Sequence, residues 1–315
     1  MTYDQLLQRV FSAALEPVDG EGVGTAVEHL ASRRARCEDD LEASILSCAG
    51  LNRPWLVHAV GLQASIRRLL SERPSGLEAL APTSILSFCA SEAGGNHPRA
   101  IETTITPDGT GGAKLSGVKR WATLAPVADY LVVIASAGRD GDHNELQAVL
   151  LPAESPGVYV EDMTIPGARG NTLHLPNGLV QLEEVRLQKE RLLTGDGYLD
   201  FLKPFRTLED LIIAASKAAA MIGLALRHEG EESVIERVIG VLGSLHAVAR
   251  EPHLPSSHLV IGAAEAALDE QLAVLVDSLP EDLASWWRAA ADVQVATSAK
   301  ARRRSTALRH LGSAE

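Results

Sequence analysis

The sequence predicts an α+β fold in three parts: N-terminal helices, a central antiparallel β-domain and a C-terminal helical bundle. Three observations carry this prediction. Short apolar runs punctuated by glycine turns form an island near the middle of the chain. Apolar residues at helical spacing flank that island on both sides. With 315 residues, 46% of them hydrophobic, there is enough apolar material to give each part a core. The changes of texture put the boundaries at residues 1–84, 85–195 and 196–315.

Taken in order, Thr25 to Leu70 is rich in Ala, Leu and Arg, and Leu56, Ala59, Val60, Gln63, Ala64, Ile66 and Leu70 share one helical face. Asp108-Gly109 with Gly111-Gly112 marks a turn, and Ser116-Gly117 marks a second, which leaves Ala113 to Leu115 only a short strand edge. Tyr130 to Ala135, Leu146 to Leu151, Gly157 to Val160 and Leu179 to Val185 read as strands. Their close spacing predicts a small antiparallel barrel or sandwich. Beyond it, Leu208, Leu211, Ile212, Ala215, Ala219, Ile222 and Leu226 follow a helical repeat. Ile261 to Leu279 and Trp286 to Leu311 read as two further long helices, after a proline-bearing loop from Arg250 to Ser257.

Composition narrows the function. A formal charge of −12 with no broad basic field argues against nucleic acid as partner. Arg302-Arg303-Arg304 is a local exception, placed either to offset a helix C-terminal dipole or to meet phosphate. No apolar run of ~18 residues predicts a membrane span, and the start of the chain has no secretory pattern. Three cysteines, Cys37, Cys48 and Cys89, without metal spacing fit a reducing cytoplasm. His58, His246, His253, His258 and His310 lack the pairing that a metal site requires.

Two runs in the island carry the chemistry. The first is Phe88-Cys89-Ala90-Ser91-Glu92-Ala93-Gly94-Gly95, and the second is Leu115-Ser116-Gly117-Val118-Lys119-Arg120-Trp121-Ala122-Thr123, followed by Ala128-Asp129-Tyr130. In order and spacing they resemble the C-x-[TS]-E-x-G-x-G and N-G-x-K-x-W-I-[TS] runs of the acyl-CoA dehydrogenase family. The resemblance spans about residues 61–311, is densest at 88–193, and implies that family's fold. It also implies FAD, against a wall made by Phe88, Ala90, Ser91, Glu92, Trp121, Ala122 and Thr123. Trp121 supplies the flat surface, Thr123 points to the same face two residues on in a strand, and Ser91 with nearby amides supplies donors.

The family's first run closes Gly-Ser-Asp where this chain has Asn96-His97-Pro98, so His97 becomes a candidate substrate contact. The family's Arg-x-x-Phe-Gly diphosphate grip has Arg237 as its nearest counterpart here, among acidic neighbours. The chain ends where the family continues with a glycine-rich turn and a last helix bearing the usual glutamate. Some members place that base early in the first bundle helix, where this chain has Glu209. Glu209 serves either as the base or as negative charge in a first turn capped by Thr207. The function implied is oxidation of an acyl thioester, on CoA or a carrier protein, in specialised metabolism. Alternatives are a flavin-free subunit completing a paralogue's site, or a recruited fold using His97 or Glu209 in non-redox chemistry on an acyl substrate. A homo-oligomer, or a hetero-oligomer with a paralogue, is expected through Ile261 to Leu311, with one of Trp286 and Trp287 uncovered.

Overall fold

A computed structural model describes residues 1–18, 20, 22–72, 80–95, 97–109, 112–141, 143–163, 174–291 and 297–312. Four helices come first: α1 (Tyr3–Ala14), α2 (Val23–Arg34), α3 (Asp40–Ala49) and α4 (Pro54–Ser71). Seven strands follow: β1 (Leu86–Cys89), β2 (Thr104–Pro107), β3 (Ala113–Thr123), β4 (Tyr130–Asp140), β5 (His143–Pro152), β6 (Val158–Asp162) and β7 (Asn177–Leu187). A π-helical turn, Gly197–Leu202, then leads into α5 (Lys203–Arg227), α6 (Glu232–Val248), α7 (Pro255–Leu275), α8 (Glu281–Ala291) and α9 (Thr297–Gly312). The α+β class and the order helices, sheet, helices are as the sequence predicts.

Two compact units divide the chain. One joins residues 1–65, 167–174 and 207–315, and the other joins 66–166 and 175–206.

In the second unit the strands form one sheet in the order β1-β4-β2-β3-β7-β6, with β5 along β4. The sheet is mixed rather than wholly antiparallel. β1 runs parallel to β4 from Leu86↔Tyr130 to Cys89↔Val133, and β2 meets β4 in parallel at Thr104↔Ser136. One strand, β4, thus takes β1 beside its first half, β2 beyond, and β5 along its whole other edge. Apolar positions on the inward face, including Cys89, Leu115, Ala122, Leu131, Val133 and Val180, build the core.

The expected turn at Ser116-Gly117 is a bulge instead. The chain continues through it as β3, and the pairing with β7 slips between Leu115 and Gly117. Gly117 has φ +152°, and a Cβ there would stand 2.6 Å from the Cα of Thr103. The dipeptide is therefore set by a close backbone approach, which glycine alone permits. Of the first turn signal, Asp108-Gly109 with Gly111-Gly112, Gly111 lies outside the described residues.

In the helical unit α3 is buried along its length. At α5, a Cβ on Gly223 would stand 1.9 Å from the Ala49 carbonyl oxygen, so this glycine lets the two helices touch. Arg227, at the end of α5, donates to the carbonyl oxygens of Ala14, Ala49 and Leu51 at 2.5, 2.8 and 3.3 Å. It thereby satisfies orphan carbonyls at the ends of α1 and α3. Burial lowers its pKa to about 10. Thr207 is not a cap. It is buried inside α5, which begins at Lys203 after the π-turn whose own cap is Asp196. Glu209 therefore lies in the second helical turn, which removes the first-turn role open in the sequence. Of the helix expected from Trp286 to Leu311, the described residues lie in α8 and α9, and residues 292–296 lie outside them; Trp286 and Trp287 are inside α8 rather than at its start.

Candidate functional site

The two motif runs meet in the β unit. The Arg120 N–H donates to the Ser91 carbonyl at 2.8 Å, and the Ser87 hydroxyl donates to the Thr123 carbonyl at 2.8 Å. Below them Lys119 and Glu92 form a buried ion pair at 2.6 Å, with side chains 0% and 6% exposed. The Lys119 ammonium also donates to the carbonyls of Ile134 and Ala90 at 2.5 and 3.5 Å. The Glu92 carboxylate also accepts from Glu102 N–H at 2.7 Å, Thr103 N–H at 3.1 Å and the Thr103 hydroxyl at 2.7 Å. Both charges are thus paired and hydrogen-bonded, as burial requires.

This pair shifts both groups. Burial alone pushes the Glu92 carboxyl up, but the Lys119 charge and the hydrogen bonds around it outweigh that and hold it below its ordinary value. Burial lowers Lys119, and Glu92 opposes that shift. The Glu92 side chain is therefore turned inward onto Lys119 and Thr103, and its backbone N–H is taken by the Gly95 carbonyl at 3.0 Å.

Trp121 emerges at a second bulge. Pairing of β3 with β7 slips between Lys119↔Val180 and Ala122↔Gly178, and Trp121 has φ +58°. That is an outlier for a bulky residue and costs about 1–3 kcal/mol. Trp121 as a residue is 39% exposed. Ala122 is buried in the core between Trp121 and Thr123, and Thr123 is half-buried, its hydroxyl 2.9 Å from the Asn177 side-chain oxygen. The Ser91 hydroxyl is half-buried and makes no bond among the described residues. Phe88 is packed face to face with Phe205 at 3.8 Å and 14°. Ala90, two residues after Phe88, is buried.

Strain held at an exposed indole, beside an unspent hydroxyl, suits a flat ligand. The ring face of a flavin fits this donor set and surface. Cys89 is a packing residue, its thiol raised to about 11 by burial, with Ser87 and Lys119 acting weakly the other way.

The other sequence candidates lie elsewhere. Asn96 is outside the described residues. His97 is exposed in the β unit, and its Nδ1 accepts from the Arg99 N–H at 3.2 Å, capping a short 3₁₀ turn. Glu209 is half-buried on α5, in the helical unit. Arg237 is an exposed residue of α6, next to Glu236. Of the Arg302–Arg304 run, Arg303 faces inward onto Asp210. Among the described residues no three His, Cys, Asp or Glu gather to hold a metal, and no helix is long and apolar enough to cross a membrane.

Sequence reading missed Lys119, Thr103, Phe205 and Asn177. For Lys119 a signal exists: it sits at an inward strand position, where a lysine demands a buried carboxylate.

Known proteins fit this geometry. A family model described as acyl-CoA dehydrogenase, middle domain, matches residues 87–177, from within β1 to the first residue of β7. A probable acyl-CoA dehydrogenase, FadE10, from Mycobacterium tuberculosis is 38% identical over 106 residues, 33% of this chain and 16% of the relative. The match thus spans under a fifth of that relative's length. Butyryl-CoA dehydrogenase from Megasphaera elsdenii superposes with TM-score 0.69 at 13% identity, covering 98% of this chain and 99% of the other. The prolyl acyl carrier protein oxidase AnaB superposes with TM-score 0.72 at 15% identity over 98% and 99%. At such identities the superpositions carry the fold alone. The middle-domain match lies on the strands that pin Ser91 to Arg120, and over these residues the chain is similar to the acyl-CoA dehydrogenase family, whose fold the whole chain shares.

Proposed function

We propose that the chain is an FAD-dependent oxidoreductase that oxidises an acyl thioester, held on CoA or on an acyl carrier protein, to its α,β-unsaturated form. The observation that carries this reading is the pinned pair of runs, with Trp121 exposed at φ +58° and the Ser91 hydroxyl unspent. Strain of that kind persists where surrounding structure over-determines it and a ligand uses it. The similarity to a butyryl-CoA dehydrogenase and to a prolyl acyl carrier protein oxidase supports a thioester on either carrier.

Each residue has a part. Trp121 stacks on the ring and Ser91 donates to its edge. Ala122 and Thr123 keep the strand in place, the latter through Asn177. Phe88, Ala90 and Glu92 hold the first run from behind. FAD supplies the acceptor for the hydride leaving the β carbon. Glu209, half-buried on α5, is the candidate base for the proton on the α carbon. His97, exposed in the β unit, is the candidate contact to the acyl substrate. The setting is a reducing cytoplasm and specialised metabolism.

Arg237, exposed beside Glu236, favours a second reading, in which the chain is a subunit completing a paralogue's site. A weak hold on the diphosphate end is expected under both.

The test is the visible spectrum during FAD titration of the purified protein. The flavin band should shift with micromolar or weaker half-saturation, then bleach when an acyl thioester is added. Glu209→Gln should take up FAD normally but bleach slower by roughly 10²–10⁴-fold. No spectral change at high FAD, with the fold confirmed by circular dichroism, sinks the flavoenzyme reading. Bleaching at wild-type speed in the variant removes Glu209 as base.

A further inference from the structure

The bulge in β3 does more than expose an indole. Lys119 and Ala122 pair with Val180 and Gly178, and all four are buried, so these positions face the core. Between them Arg120 and Trp121 stand opposite the single residue Leu179. Consecutive strand residues normally point to opposite faces, but a two-against-one bulge breaks that alternation. Arg120 and Trp121 are both exposed, side by side on the outer surface of the sheet. The bulge therefore sets a guanidinium next to a stacking surface.

Arg120 is held at its backbone and free at its tip. Its N–H donates to Ser91 at 2.8 Å, while its guanidinium makes no hydrogen bond or ion pair among the described residues. The pairing brings one carboxylate onto the same face. Glu161 of β6 lies across from Leu179, roughly 10 Å from β3 at two strand spacings, and accepts from the Gln181 amide at 3.4 Å.

A cation that cannot be deprotonated, beside a flat aromatic face, suits a planar ligand whose edge becomes negative. Resting on the flavin reading above, we propose that Arg120 lies against the edge of the ring that stacks on Trp121. There it holds the negative charge which that edge gains on reduction. A hydride brings two electrons and one proton, so the ring is left one unit more negative than before. A fixed positive group at its edge therefore favours the reduced form over the oxidised one.

The experiment is the midpoint potential of FAD bound to the wild type, Arg120→Gln and Arg120→Lys, with the oxidised-FAD affinity of each. Arg120→Gln should leave oxidised-FAD affinity near the wild-type value and weaken the hold on reduced FAD about tenfold. That is a potential about 30 mV lower for a two-electron couple. Arg120→Lys, which keeps the charge, should recover most of the shift. An unchanged potential in Arg120→Gln overturns the proposal and leaves the flavoenzyme reading standing. Equal weakening of oxidised and reduced FAD also overturns it, because a phosphate contact or a structural loss acts on both. If the wild type takes up no FAD, both readings fall together.

Discussion

Lys119 and Glu92 decide how the rest of the wall stands. Each comes from a different motif run, and their ion pair, with Thr103 beneath, ties the runs from below. The pH consequence follows from the depressed Glu92 carboxyl. A carboxylate with a lowered folded value stabilises the fold above its unfolded value, about 4.3. That contribution is lost as pH falls through the lower folded value. Glu92→Gln should therefore flatten the acid limb of stability against pH. At neutral pH it should cost about 3–5 kcal/mol, because a buried ammonium is left without its counter-charge. Urea midpoints at several pH values decide this, and an unmoved midpoint at neutral pH would show the pair to be idle. Replacing both partners with apolar residues, Lys119→Met with Glu92→Leu, should recover part of the loss.

At the scale of elements, β3 depends most on its bulges. Gly117→Ala would drive a methyl into the Thr103 backbone at a φ that side chains rarely adopt. It should destabilise the protein by about 2–4 kcal/mol, measured as a fall in the denaturant midpoint. A cost under ~0.5 kcal/mol would mean that the strand reroutes freely. The same strand shows why sequence reading went only part of the way. Trp121, Ser91 and the order of the two runs were legible because they are local spacings. The Ser116-Gly117 dipeptide carries the chemistry of a turn, and only the approach of Thr103 makes it a bulge. The slip that exposes Arg120 with Trp121 depends on Leu179, far along the chain. In the sequence Glu92 reads as a ligand contact because its partner, Lys119, sits in the other run. In α5, Thr207 has the sequence pattern of a cap, but Thr-x-x-Asp also occurs inside helices. The π-turn before it, buried at Phe201 and Leu202, starts the helix earlier.

For the molecule as a whole, the expected bare tryptophan in α8 does not exist. Trp287 is buried and donates its indole N–H to the Asn52 carbonyl at 2.8 Å. Trp286 meets Trp55 edge-on at 5.2 Å, with the Arg53 guanidinium over both rings. Apolar surface left in the proposed interface includes Val274 of α7 and is greatest on α9, where Leu308 is 61% and Leu311 49% exposed. Self-association through this helix is our expectation, and Leu308→Asp should shift a dimer or tetramer toward monomer in light scattering. A wild type that stays monomeric at tens of micromolar would refute it. The covered tryptophans have a consequence of another kind. Of four indoles in the chain, Trp55 and Trp287 are sealed in, Trp286 is stacked, and Trp121 meets solvent beside the one surface assigned to a ligand. Water-exposed indoles glow at longer wavelengths than sheltered ones. The red edge of this protein's own fluorescence is thus a built-in gauge of whether that surface is covered, and Trp121→Phe should erase the gauge while leaving the blue emission in place.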